Sequence, residues 1–238
     1  VKVNPEAVYK NRVRLVNSFI AELEGYYRLY LTEQITLITN ARSEEEQFSL
    51  LAEMRSGLPS EVTDRVENVT EMFLYELEVL QHDFEFESSE VAMINNLIVN
   101  EVATVIGVLQ GINISVSSQV ARQIYIGIKD IKVNDLFDKI GLPRIYQIRT
   151  SLHTALTSFR RSSVIQKSLK KGTRRFRYIK VRKAKTPPRP FCAERQGKIF
   201  TYEEIQQMDN GQGLTPVFIY GGGYNCTHDW EPVANEEE

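Results

Sequence analysis

The chain has 238 residues, of which 42% are hydrophobic, a formal net charge of −2 and only two cysteines. That apolar share is enough to bury a core, which excludes global disorder. Two cysteines cannot build a secreted disulfide framework, so a reducing interior is the simpler setting.

Residues 1–8 lack the charged-then-apolar pattern of a signal peptide. Pro5 suits a first helical turn. After it, Val8, Leu15, Val16, Phe19, Ile20, Leu23, Tyr27, Tyr30, Leu31, Ile35 and Ile38 recur at three- and four-residue steps. The pattern predicts a long amphipathic helix ending near Asn40. Ser43 and Glu46 form a capping-box pattern for a second helix, which stops at Gly57-Leu58-Pro59. Ser60 is placed to cap a third helix carrying Val62 to Leu80. Ser88 or Ser89 is placed to cap a fourth, carrying Val91 to Leu109.

The most apolar stretch, Ile94 to Ile114, is interrupted by Asn95, Asn96, Asn100, Glu101 and Gln110. It reads as a buried helix in a soluble assembly, with no membrane partner. Residues 112–127 are ambiguous, because Ile112 to Val116 alternates like a strand while Ser117 or Ser118 suits a helix cap. Asn134 to Ile140 reads as a short helix ended by Gly141, and a further helix runs from Arg144 to Lys170, ended by Gly172.

The texture then changes. Phe176 to Val181, Lys198 to Phe200 and Val217 to Tyr220 each read as short strands. Pro187, Pro188 and Pro190 interrupt, and Thr201 with Glu204 marks a capping box for one short helix. The expected fold is therefore α+β. A mostly helical body, residues 1–172, precedes a small module of short strands and one short helix, residues 173–238.

Charge is segregated. Between Asp138 and Glu194 there is no acidic residue, yet 16 of the 29 basic residues lie there. Lys170, Lys171, Arg174, Arg175, Arg177, Lys180, Arg182, Lys183 and Lys185 form its densest part. Such a stretch suits DNA phosphates or an acidic protein neighbour. Phe176 and Tyr178 within it are candidates for stacking on bases.

The module also holds Cys192, Cys226, His228 and a glycine triplet, Gly221 to Gly223. Glycines that permit positive φ could fold Cys226 and His228 back toward Cys192. The three would make a partial zinc set, but a structural site wants four ligands and no fourth is evident. The competing reading has two small buried cysteines and a hydrogen-bonded structural histidine. A catalytic triad of Cys192, His228 and Asp229 lacks any surrounding protease signature. His82 and His153 read as ordinary helix histidines. No phosphate-binding glycine motif precedes a helix.

The residues Arg189, Phe191, Cys192, Gly197, Lys198 and Phe200, followed by Gly222, Gly223, Asn225, Cys226, His228, Trp230, Pro232 and Val233, carry a resemblance. They resemble, in order, the C-terminal motif of minor head, or head-morphogenesis, proteins of the phage Mu F type. The match covers about the last fifth of the chain. The resemblance implies a non-enzymatic structural component of a tailed-phage virion, assembled in the host cytoplasm. It would act near the portal in head assembly, packaging or ejection. It implies portal, capsid or other virion proteins as partners within an oligomeric assembly, and possible contact with genomic DNA. Some relatives carry toxin domains beyond the motif, and none is expected here. No cofactor is expected, with zinc on the Cys/His set as the alternative. Two other functions stand against this one: a DNA-binding protein packaged with the genome, and a zinc or cysteine enzyme.

Overall fold

A computed structural model describes residues 5–81, 85–128, 130–181 and 187–234. His82 and three of the basic residues, Arg182, Lys183 and Lys185, lie outside the described residues. The chain is mostly helical, with a small three-stranded antiparallel sheet near its C-terminus.

Helix α1 spans Pro5–Thr39, and Val16, Phe19, Leu23, Tyr27, Leu31 and Ile38 form its buried stripe. Helix α2, Glu44–Ser56, is capped by Ser43 Oγ, which accepts from the Glu46 N–H at 3.1 Å. The Glu46 carboxylate reaches back to the N–H of Arg42 rather than that of Ser43, at 2.6 Å.

The expected third helix is two. Helix α3, Ser60–Val66, follows Pro59 at the cap position, and the Ser60 hydroxyl turns to Glu61 instead. After Glu67, helix α4 runs Asn68–Gln81.

Helix α5 spans Ser88–Tyr125 and takes in most of the ambiguous stretch. Ile112, Val116 and Val120 extend the buried stripe of Val105 and Leu109 at four-residue steps. A helix keeps all of them on one face, whereas a strand would split such a stripe. The chain leaves α5 at Gly127, where φ is +82°. Only one face of α5 is buried, which is less than the sequence reading supposed. Leu97, Val99 and Ile114 are exposed. By length and composition alone, Ile94–Tyr125 would suffice to cross a membrane.

A second correction falls at Gly141, which does not end a helix. Helix α6, Val133–Leu136, runs through a π-helical turn, Phe137–Gly141, directly into helix α7, Leu142–Lys170. The π turn disrupts the ordinary ladder where Pro143 has no N–H to offer. Gly141 is required for another reason: a Cβ there would lie 2.8 Å from the Phe137 ring. Gly172, with φ +84°, does end α7.

The chain forms two compact units. One comprises Val16–Glu71 and Met93–Arg149; the other comprises Val1–Leu15, Met72–Ala92 and Thr150–Glu238. The first has polar groups inside its core. Tyr27 bonds Asn113 Oδ1, and Asn113 Nδ2 donates to the Gly57 carbonyl at 2.7 Å. Arg55 donates to Ser117 Oγ at 3.0 Å. These partners satisfy polar side chains that would otherwise penalise a buried helix.

The second unit contains the sheet. Strand β1, Arg175–Lys180, lies between β2, Ile199–Thr201, and β3, His228–Val233, both antiparallel to it. Phe176 pairs with Phe200 and Pro232, and Tyr178 pairs with Trp230. Phe176, Tyr178, Phe191, Ile205, Val217 and Trp230 join Ile165 of α7 in one core.

Among the described residues, three short helices complete the module instead of one. They are α8, Pro190–Arg195, α9, Tyr202–Gln206, and α10, Val217–Tyr220. Pro190 starts α8 at a position that needs no N–H. The Thr201–Glu204 capping box of α9 is complete. Val217–Tyr220 is a helical turn, correcting the strand expected there. The edge of β1 away from β2 is taken by His228–Val233 instead.

Candidate functional site

The two motif segments meet in the core of the module. Strand alternation sends Tyr178, His228 and Trp230 to the same face of the sheet. The Tyr178 ring stacks on the His228 imidazole, with centroids 5.0 Å apart, and lies 4.5 Å from the Trp230 ring. Helix α8 brings Cys192 to this face from one side, and the loop after α10 brings Cys226 from the other. Their sulfurs lie 3.9 Å apart. The Tyr178 hydroxyl sits 3.2 Å from Cys226 Sγ and 3.5 Å from Cys192 Sγ. Ligand atoms of Cys192, Cys226 and His228 all fall within 4.8 Å of one another, and all three residues are buried.

The glycine triplet makes this approach possible. A Cβ on Gly222 would lie 2.2 Å from Cys192 Sγ, so no other residue fits without displacing the sulfur. The Gly222 N–H donates to Cys226 Sγ at 3.2 Å. Gly221 has φ +55°, and a Cβ there would press on the Arg161 guanidinium at 3.1 Å.

Two arginines hold the loop. Arg161, 2% exposed, donates to the carbonyls of Ile219 at 3.2 Å, Cys226 at 3.0 Å and His228. Arg189 donates to the carbonyls of Gly222 at 3.0 Å and Tyr224 at 2.8 Å. Arg189 thus ties the first motif segment to the second. Asn225 has φ +52°, a region asparagine tolerates better than most residues. Its N–H and side-chain amide reach Thr154 and Thr150 of α7. Gly197, with φ +81°, donates to the Tyr178 carbonyl at 2.7 Å. Lys198 is exposed on this turn, and its carbonyl accepts from the Tyr178 N–H.

The thiols are unequal. A hydrogen bond from Cys192 holds the Cys226 thiol far below its ordinary range against the opposing effect of burial, with help from Arg161, His228 and Tyr178. The same bond, together with burial, raises the Cys192 thiol. The two thiols therefore titrate as a pair, each proton's loss depending on the other. The Tyr178 phenol is pushed up, mainly by burial. His228 Nε2 faces Gln196 Oε1 at 3.5 Å, and Nδ1 is buried with no satisfied hydrogen bond.

Asp229 does not join this cluster. It lies on the other face of β3, where its carboxylate meets Arg160 at 3.4 Å and Arg161 at 3.7 Å. A Cys192–His228–Asp229 triad is therefore not assembled. Phe176 and Tyr178 are both fully buried, so neither can stack on a base as expected.

The basic window is partly consumed within the fold. Arg161 and Lys167 are buried, Lys170 pairs with Glu87 at 3.0 Å, and Arg177 with Glu231 at 3.6 Å. Arg175 and Lys180 lie in β1, Lys171 and Arg174 in the turn before it.

Sequence reasoning missed three participants. In the sequence Tyr178 shows only as a strand residue and stacking candidate, and Arg161 only as one basic residue among many. Arg161 stands four residues after Thr157 and four before Ile165, on the buried side of α7, so helical spacing carried that signal. The third is a buried ion pair. The Arg12 guanidinium forks onto both oxygens of Glu76 and donates to Thr157 Oγ1 at 2.8 Å.

Comparison of the chain with protein-family models, with curated proteins and with solved structures returns no match.

Proposed function

We propose that this chain is a structural, non-enzymatic component of a tailed-phage particle. In this reading it is a minor head protein of the Mu F type, working near the portal in head assembly, packaging or ejection. One observation carries the reading. The two motif segments behind the resemblance, more than twenty residues apart, fold as one unit through Arg189, which grips the Gly222 and Tyr224 carbonyls. Residues joined in this way account for a motif by the fold it builds, without requiring a reaction.

Burial supports a structural role for the chemically capable side chains. Cys192, Cys226 and His228 are all sealed inside the module, whereas a nucleophile must meet its substrate. The long helices supply surface for assembly. Exposed Leu97, Val99 and Ile114 on α5 are apolar groups of the kind that protein–protein contacts cover. The preferred partners are portal or capsid proteins, ahead of DNA, because several basic residues already serve internal contacts.

The test is the composition of particles induced from the organism that encodes the chain. Purified, nuclease-treated particles should contain the protein at low copy beside the major capsid protein. Immunogold labelling of opened heads should place it at the portal vertex. Particles that lack the protein altogether would overturn the proposal.

A further inference from the structure

We propose that Cys192, Cys226 and His228 bind one zinc ion that clamps the two motif segments together. The sequence shows no fourth ligand, and among the described residues the fold adds none, but it brings the ligand atoms of all three to within 4.8 Å of one another. Two zinc–sulfur bonds of about 2.3 Å at a tetrahedral angle set the sulfurs about 3.8 Å apart. Cys192 and Cys226 are at 3.9 Å, far beyond the roughly 2.05 Å of a disulfide.

The histidine is arranged as a ligand. Its Nδ1 is buried and meets no partner in hydrogen-bond geometry, an arrangement that folded proteins rarely leave without a compensating ligand. Its Nε2 faces Gln196 Oε1. A ligating imidazole characteristically gives one nitrogen to the metal and hydrogen-bonds an outer acceptor with the other. The Gly222 N–H on Cys226 Sγ favours thiolate, the form that binds metal.

The fourth side of the cluster faces the Tyr178 hydroxyl, in contact with both sulfurs. A set of three protein ligands usually leaves a position for substrate. Here the buried Tyr178 hydroxyl stands where a substrate would enter and is the nearest group for the fourth position, so the ion is structural. Two thiolates and an imidazole select zinc over hard cations such as magnesium or calcium. Binding releases thiol protons to solvent. Gln196, the outer acceptor of His228, also lines an open cleft of about 840 Å³ together with Tyr9, Lys10 and Lys180. This inference is independent of the phage assignment.

The experiment is metal analysis of the full chain purified without chelator. The expected result is a single zinc per chain, lost in Cys192→Ser and in Cys226→Ser. To separate metal loss from misfolding of a variant, the metal-free wild type is also titrated with cobalt(II). It should develop a thiolate-to-cobalt charge-transfer band and intense tetrahedral visible bands that saturate at one equivalent and bleach with zinc. A helical, folded chain that takes up neither metal at stoichiometric concentration overturns the proposal. So does a Cys192–Cys226 disulfide found by intact mass in protein isolated from a reducing cytoplasm.

Discussion

Gly222 faces Cys192 so closely that a Cβ at the glycine would lie 2.2 Å from the sulfur. Two segments thirty residues apart in sequence are therefore matched at a single atom, and the glycine is demanded by that contact. Its own φ is not in the positive region, so backbone freedom does not explain it.

Gly222→Ala should lower stability by ~2–3 kcal/mol, the scale of overpacking in a tight core. Urea unfolding of the full chain followed by tryptophan fluorescence reports it, since Trp230 is the only tryptophan and sits in the same core. An unchanged midpoint would show that the loop gives way freely.

Arg161→Leu should cost about 3 kcal/mol or more, because the carbonyls of Cys226, Ile219 and His228 lose a shared donor in a buried site. Arg161→Lys should recover little, since an ammonium cannot fork across several carbonyls. Hydrogen exchange should rise over residues 226–233 in both variants. Full rescue by lysine would count against the bridging role.

The Arg12–Glu76 pair is buried at both ends. Arg12→Met alone should destabilise by about 3–5 kcal/mol, because Glu76 is left as an uncompensated buried charge. The double variant Arg12→Met/Glu76→Leu should recover most of that loss. Thr157 stays satisfied in either variant through the His153 carbonyl, at 2.7 Å. Additive losses in the cycle would falsify the coupling.

Gly141→Ala should cost ~1–3 kcal/mol by driving a methyl into the Phe137 ring. Phe137→Leu in the same background should return part of it, as measured by thermal unfolding. If the second substitution only adds to the damage, the ring contact is not the reason for the glycine.

Duplex DNA binding should be weak at about 0.15 M salt, with a Kd no tighter than the roughly 10⁻⁴–10⁻⁶ M of non-specific binders. The reason is that part of the basic window is committed to internal contacts, among them Arg161, Lys170 and Arg177. Fluorescence anisotropy across a salt series measures it. Nanomolar binding at that salt would favour the genome-binding alternative.

Local rules were legible without the fold. The stripe of α1, the Ser43 and Thr201 caps and the stop at Gly172 depend on neighbours within about four residues, and the structure keeps all of them. The mostly helical body and the small strand-bearing module follow from the same short-range periodicity. What the sequence could not decide was set by distant partners. Val217–Tyr220 has strand-prone residues but became a helical turn, and the strand that pairs with the other side of β1 is the later His228–Val233. Helix α5 continued through Asn113 and Ser117 because Tyr27, Gly57 and Arg55 satisfy them. The Cys/His cluster is the clearest case. Sequence alone supplied its three ligand types and the glycines beside them. Only the tertiary structure brought Cys192 within 3.9 Å of Cys226 and set Tyr178 against both sulfurs. Ligand identity belongs to residues, whereas ligand distance belongs to the packing of a sheet and a helix that are remote along the chain.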